Sequence, residues 1–278
     1  MPDLTMAPPP EGLLRERYGD HAPAAPLRLN ETIRTLLGHR SVRRYLDEPL
    51  APGTLETLVA AAQSASTSSN LQVWTVVAVE EPDRKARLAA LVGDQKHVVQ
   101  APLFLVWLAD LARAERLSAQ AGGGREGIDY VESFLVAVVD ATLAAQSAVA
   151  ALESLGLGSV YIGGIRNHPQ AVAAELGLPP RVMPLFGLCV GKPDPERPTS
   201  VKPRLPQEAV LHRETYDPAQ ADEAVARYDV TLSGFQRAQG MAEVAWSKIV
   251  ADRLGVLKGL NGRERLRAAL ESLGFELR

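Results

Sequence analysis

The chain has 278 residues, 46% hydrophobic and 23% charged, with a net charge of −3, which allows a sizeable core and lacks the basic excess of a nucleic-acid binder. A single cysteine closes no internal disulfide and builds no multi-cysteine metal site, which fits a reducing cytoplasm. Aromatic residues at 5% argue against base-stacking platforms of the single-strand-binding type.

Residues 1–28 carry Pro2, Pro8, Pro9, Pro10, Pro23 and Pro26 but no apolar segment of the signal-peptide kind. They read as a largely disordered extension, with a short docked helix over 12–18. From 29 to 278 the expectation is one domain. Asn30 is an N-cap for a helix carrying Ile33, Leu36 and Leu37, which Gly38 ends. A helix follows over 54–63, a β-branched strand over 74–79, a helix over 84–92 and a buried strand over 103–109. Gly122–Gly124 reads as a flexible loop. Residues 134–152 are apolar almost all round, as befits a core helix. A strand over 158–162 comes next, then a helix capped by Asn167 with Pro169 in its first turn, then a buried strand over 185–190. The longest charge-free apolar runs, 98–109 and 141–152, fall short of the roughly 20 residues that span a bilayer. From about 205 onward polar helical segments read as arms, lying on the main domain or on a partner subunit.

Several familiar sites are absent from the sequence. Gly156-Leu157-Gly158 has Tyr161 where a dinucleotide fingerprint needs its third glycine. The run 187–192 is one residue short of a P-loop, and Pro193 stands where Ser or Thr is required. Neither H-E-x-x-H nor G-x-S-x-G occurs. Cys189 falls in a strand pattern and reads as a core thiol.

Four clusters carry chemistry. His39-Arg40-Ser41-Val42-Arg43-Arg44 concentrates cations, and an extended backbone would put His39, Ser41 and Arg43 on one face. Guanidinium forks suit phosphate, although a solvated basic turn would show the same residues. Lys202-Pro203-Arg204 holds two cations on a restricted backbone, or is simply a surface loop. Ser66-Thr67-Ser68-Ser69-Asn70 offers neutral donors and acceptors, or is a linker. Gly163-Gly164 would let a flat ligand approach the backbone, or makes a plain turn. Together, phosphate anchors, hydroxyls and a glycine pair match the needs of a flavin mononucleotide (FMN).

At these residues the chain resembles the FMN-dependent nitroreductase superfamily, in its group A form with the oxygen-insensitive NADPH nitroreductases and flavin reductase P. The resemblance covers about 30–246. It rests on Gly38-His39-Arg40-Ser41-Val42-Arg43, Ala65-Ser66-Thr67-Ser68-Ser69, Gln95-Lys96-His97, Tyr161-Ile162-Gly163-Gly164-Ile165-Arg166-Asn167 and Lys202-Pro203-Arg204-Leu205-Pro206, among others, in the family's order. It implies an α+β fold, with a central, mainly antiparallel sheet flanked by helices and a helical C-terminal excursion. It also implies a homodimer with two FMN sites, each built at the subunit interface.

Carried over residue by residue, the resemblance makes His39, Arg40, Ser41 and Arg43 contacts to phosphate, ribityl chain and ring edge. Thr67, Ser68 and Ser69 become the hydroxyl segment, and Gln95 a ring contact. Tyr161, Ile162, Gly163 and Gly164 lie beside the ring, with the Gly164 N–H toward flavin N5. Lys202 and Arg204 are the remaining cations. No side-chain acid or base and no metal is implied; the charge of Arg43 and Lys202 would support the reduced flavin. The implied reaction is a ping-pong, two-electron reduction of nitroaromatics, quinones or free flavin by NAD(P)H. A non-catalytic flavin-binding or sensor protein, and a reductase of disulfide or peroxide acceptors, are the alternatives. Arg237 falls where the family's key NADPH-phosphate arginine sits. The following run, 238–245, carries Glu243 and no second cation, so the expectation is NADPH use with weakened selectivity over NADH.

Overall fold

A computed structural model describes residues 10–23 and 25–278; residues 1–9 and Ala24 of the Pro-rich extension lie outside the described residues. In chain order the elements are α1 (Pro10–Tyr18), α2 (Glu31–Leu37), α3 (Thr54–Gln63), β1 (Trp74–Val79), α4 (Pro82–Leu91), α5 (Lys96–Gln100), β2 (Leu103–Asp110), α6 (Ala112–Gln120), α7 (Val131–Ser154), β3 (Gly158–Ile162), α8 (Pro169–Glu175), β4 (Val182–Gly191), α9 (Pro218–Ala238), α10 (Trp246–Leu254) and α11 (Leu266–Ser272). They fall into two compact units, Met1–Arg40 with Ser200–Asn261, and Ser41–Thr199 with Gly262–Arg278.

The second unit holds the sheet, in the order β1-β2-β4-β3 with every pair antiparallel. All of β2 is buried, and its side chains alternate between two cores. Leu103, Leu105 and Trp107 join Leu58 of α3 and the alanines of α7. Phe104, Val106 and Leu108 join Leu88 of α4, Val98 of α5 and Val172 of α8. Period-two alternation with helices on both faces explains why this strand reads as an unbroken apolar run. In the β2–β4 pairing the register shifts between Trp107 and Leu108 of β2, whose β4 partners are Phe186 and Pro184. Leu185 is the extra residue of a bulge, where a proline costs no ladder hydrogen bond.

α7 presents Ala137, Ala141, Ala144, Ala145 and Ala148 to the core, small side chains that let it lie close to α3 and β2. Among the described residues it is the one helix long and apolar enough to cross a membrane by length and composition. The charge-free run 141–152 noted in the sequence stops short of its full extent because Asp140 interrupts it. A third cluster at one end of the sheet joins α7 to α11, through Ala137, Met183, Leu270 and Phe275.

One sequence expectation is corrected, and one expected loop gains a helix before it. Asn167 does not cap α8: the N-cap is His168, without a side-chain cap bond, because Asn167 ends a 3-10 turn and its Oδ1 accepts from Arg263 Nε at 2.9 Å. The glycines at 122–124 close a turn after α6, a helix the sequence reading missed, with Ser118 Oγ donating to the Gly124 carbonyl at 2.6 Å.

The first unit is helical. Asn30 does cap α2, its side chain accepting from the Ile33 N–H at 2.9 Å. Leu13 of α1 and Ala224, Tyr228 and Leu232 of α9 are buried. The Tyr228 hydroxyl donates to the Pro203 carbonyl at 2.8 Å, which holds the 201–206 segment.

Candidate active site

In the second unit the site residues gather along β3, an edge strand. Ser41 makes an isolated parallel bridge with Ser159, and the Val42 N–H donates to the Ser159 carbonyl at 2.8 Å. The backbone there is extended as expected: Val42 is buried, Ser41 half-buried and Arg43 exposed. Gly158 makes this approach possible, since a Cβ on it would stand 2.5 Å from Val42 Cγ2. The parallel direction carries the chain from Ser41 to Arg43 alongside the course from Ser159 to Tyr161.

β3 ends at Ile162 and turns into Gly163-Gly164. Gly164 is buried, and a Cβ on it would meet the Val92 carbonyl oxygen at 2.4 Å and Gln95 Nε2 at 3.0 Å. Gln95 is itself fixed, donating from Nε2 to the Val92 carbonyl at 2.8 Å. The structure therefore brings Gln95 and Gly164 together. Gly163 has room for a Cβ, whose nearest neighbours would be Arg166 and, at 3.9 and 4.0 Å, the guanidinium of Arg263. Tyr161 packs edge-on against Phe186, ring centroids 5.3 Å apart, and its hydroxyl donates to Gln146 Oε1 at 3.5 Å. Burial, with the charge of Glu153 added, pushes the Tyr161 hydroxyl above the ordinary phenol range. The Ile162 side chain belongs to the core, which leaves its backbone for a ligand.

The hydroxyl segment 67–73 is organised by a residue the sequence reading missed. Asp140 of α7 is buried. Its carboxylate accepts from the Thr67 hydroxyl, the Ser68 N–H at 3.1 Å and the Val73 N–H at 3.3 Å. Thr67 Oγ1 in turn accepts from the Gln72 N–H at 2.9 Å. The loop needs this fastening because Ser69, Asn70 and Gln72 adopt left-handed backbone, at φ 48°, 56° and 50°, which is costly for residues with a Cβ. Thr67 is thus committed internally, while Ser68 and Ser69 are exposed. An acidic residue inside an apolar helix was the available signal for Asp140. Arg263 lies in a tail without a recognisable pattern.

Charge in this unit is felt at His97. Burial first, then the positive charges of Arg43 and Arg44, hold its imidazole below the ordinary histidine value, which keeps it neutral at neutral pH. Cys189 is fully buried, and burial pushes its thiol well up, so it is inert as expected.

The first unit carries His39, Arg40, Lys202, Arg204 and Arg237. Lys202 and Arg204 are exposed and alternate with buried Val201 and Pro203, so both cations stand on one side of the segment. They line a cavity of ≈ 640 Å³ together with Tyr18, Tyr228, Gln236 and Trp246. Arg237, at the end of α9, is engaged by Glu243. Nε donates to Oε1 at 2.9 Å and Nη2 to Oε2 at 2.8 Å, and the Ser233 hydroxyl also donates to Glu243. The hydrogen bonds from Arg237, then Ser233, hold the Glu243 carboxyl down at about 2. The 239–245 loop is pinned by buried Gln236, whose amide accepts from the Val244 N–H at 2.8 Å and donates to the Val244 carbonyl at 3.1 Å.

Residues 36–192 match the Nitroreductase family, and residues 202–278 its C-terminal domain. The chain belongs to the nitroreductase family. It is 42% identical over 224 residues to the FMN reductase (NADPH) of Bacillus subtilis strain 168, covering 79% of this chain and 89% of that one. It is 42% identical over 212 residues to the oxygen-insensitive NADPH nitroreductase of Salmonella typhimurium, covering 76% and 85%. The solved NADPH:FMN oxidoreductase from Vibrio harveyi complexed with NAD+ superposes with a TM-score of 0.79 at 34% identity, covering 90% of this chain and all of that one. The antiparallel sheet with its flanking helices is the α+β nitroreductase fold.

Proposed function

We propose that this protein is an FMN-dependent NAD(P)H oxidoreductase that reduces nitroaromatics, quinones or free flavin by two electrons in a ping-pong cycle. The observation that carries this reading is the end of β3. There a strand edge joins Ser41 and Arg43 to an exposed tyrosine, and a glycine that tolerates no side chain abuts Gln95. Such a donor set fits a flat, hydroxylated, anionic cofactor: backbone N–H and amide groups suit a ring edge, exposed serines a polyol, and guanidinium groups a phosphate. FMN, when bound, supplies hydride acceptance from nicotinamide and two-electron delivery to an acceptor.

The protein's own residues then bind and orient. The Gly164 N–H would donate to the ring, with Gln95, Tyr161 and the backbone of Ile162 and Gly163 beside it. Arg43 and Lys202 would supply positive charge to the ring edge, and His39, Arg40, Ser41 and Arg204 would anchor the phosphate and ribityl chain. Ser68 and Ser69 would offer hydroxyls, with Thr67 holding their loop. Arg263, next to Gly163, would add a cation facing an incoming anionic substrate. No side chain acts as acid, base or metal ligand in this scheme.

A homodimer is supported by α7. Val131, Leu135, Val139 and Leu143 are exposed at a four-residue spacing on the face opposite the buried alanines. An apolar stripe of this kind marks an interface, and a self-complementary helix face suits a two-fold axis. The packing of α7 on α3 and β2 favours this over a bilayer, and the net charge of −3 does not suit nucleic acid. For the reductant we infer NADPH through Arg237, with NADH also used because Glu243 already occupies the guanidinium fork. A cytoplasmic setting agrees with the lone buried thiol.

The test is steady-state oxidation of NADPH by the purified chain with and without FMN, across a quinone, a nitroaromatic and free flavin. Turnover that depends on both FMN and acceptor is expected. Bound FMN with no NADPH oxidation by any acceptor would leave a flavin-binding protein without catalysis and overturn the proposal.

A further inference from the structure

Arg17 lies on α1, upstream of the family match, which starts at residue 36. It is 5% exposed, an unusual setting for an arginine, and its guanidinium runs along three main-chain carbonyls. Nη1 donates to Lys202 O at 2.7 Å, Nη2 to His39 O at 2.9 Å and Leu37 O at 2.6 Å, and Nε to Leu37 O at 3.2 Å. In return the Arg17 carbonyl accepts from the Arg204 N–H at 2.8 Å. One residue therefore fastens the backbone at 37–39 and at 202–204. Leu13, buried one turn earlier, keeps α1 seated beside Gly38.

We propose that Arg17 is a positioning residue for the flavin phosphate, acting through His39, Lys202 and Arg204; the inference rests on the FMN reading above. Two physical effects support it. The planar fork fixes the two segments relative to each other, so that their cations are arranged before the anion arrives and less ordering remains to be done on binding. The same fork also offsets the carbonyl dipoles at His39 and Lys202, the residues whose side chains would meet the dianion. The next residue, Tyr18, lines the cavity that also holds Lys202 and Arg204, so α1 contributes a wall to it as well.

The test compares FMN with riboflavin, which has the same ring and ribityl chain but no phosphate. Dissociation constants are measured for both on full-length protein stripped of flavin. Arg17→Met is expected to weaken FMN binding about tenfold while changing riboflavin less than about twofold. Arg17→Lys, which keeps the charge but loses the fork, should recover part of the loss. Leu13→Ala loosens α1 without touching the arginine and should give the same phosphate-selective loss in smaller degree, so it serves if Arg17→Met fails to fold. Equal weakening of both flavins in these variants would reduce Arg17 to a prop of the fold and overturn the assignment. An unchanged FMN-to-riboflavin ratio would do the same while leaving the FMN reading intact. No FMN binding by the unaltered chain would overturn both.

Discussion

At the residue scale the ion pair between Arg237 and Glu243 bears on cofactor choice. Glu243 presents two carboxylate oxygens to the guanidinium fork, the geometry a phosphate would use, and in the proposed role of Arg237 the adenosine 2′-phosphate of NADPH would displace them. Glu243→Gln should therefore raise the ratio of kcat/KM for NADPH over NADH about threefold, the modest size befitting an exposed pair. Arg237→Ala should bring the two cofactors to equal efficiency by lowering only the NADPH value. Steady-state kinetics with both nicotinamides checks each variant. The glycine pair makes a second contrast. Gly164→Ala forces a Cβ onto the Val92 carbonyl and should cost about 1–3 kcal/mol together with flavin affinity. Gly163→Ala has room and should leave stability unchanged in thermal melts. Legibility differs sharply at this scale. The sequence pattern singled out both glycines and the family resemblance added Arg237 and a role for the Gly164 N–H, but neither showed that Gly164 alone of the two has no room for a side chain. That difference depends on a carbonyl some seventy positions away. Arg17 and Arg263 were invisible for the same reason, and Asp140 showed only as an acid inside an apolar helix: each acts on a segment distant along the chain.

At the element scale the apolar pattern specified most of the framework. The strand over 74–79 and the helix over 54–63 stand where the sequence put them, the strand through its β-branched residues and the helix with Leu58 and Ala62 buried against the core. Boundaries slipped where tertiary contacts took over. β4 starts at Val182, beyond a proline that the bulge accommodates, and α8 loses its expected asparagine cap to the bond with Arg263. The loop over 67–73 was legible as a hydroxyl-rich stretch but not as an ordered one. Its order comes from α7, through a single carboxylate that accepts from three donors. Asp140→Asn keeps the size of the side chain but replaces one acceptor oxygen with a donor, so the loop loses its fastening. Denaturant unfolding should register a loss of about 2–3 kcal/mol, and FMN affinity should fall with it.

At the scale of the whole molecule, the exposed stripe on α7 is the surface that the proposed second copy would cover. Light scattering during size exclusion should report a dimer. Leu135→Glu combined with Leu143→Glu should give monomers that still fold, by far-ultraviolet circular dichroism, but hold FMN weakly. Sequence alone pointed to this assembly through family resemblance, since spacing does not say which apolar helix face stays uncovered. The central claim is that the cations and glycines of this chain hold an FMN that exchanges electrons with a nicotinamide. It is tested most directly by anaerobic titration of the FMN-loaded protein with NADPH, followed by addition of a quinone. The visible flavin absorbance is expected to bleach at one NADPH per FMN and to return with the quinone. A flavin that stays oxidised in excess NADPH and excess NADH would contradict the claim.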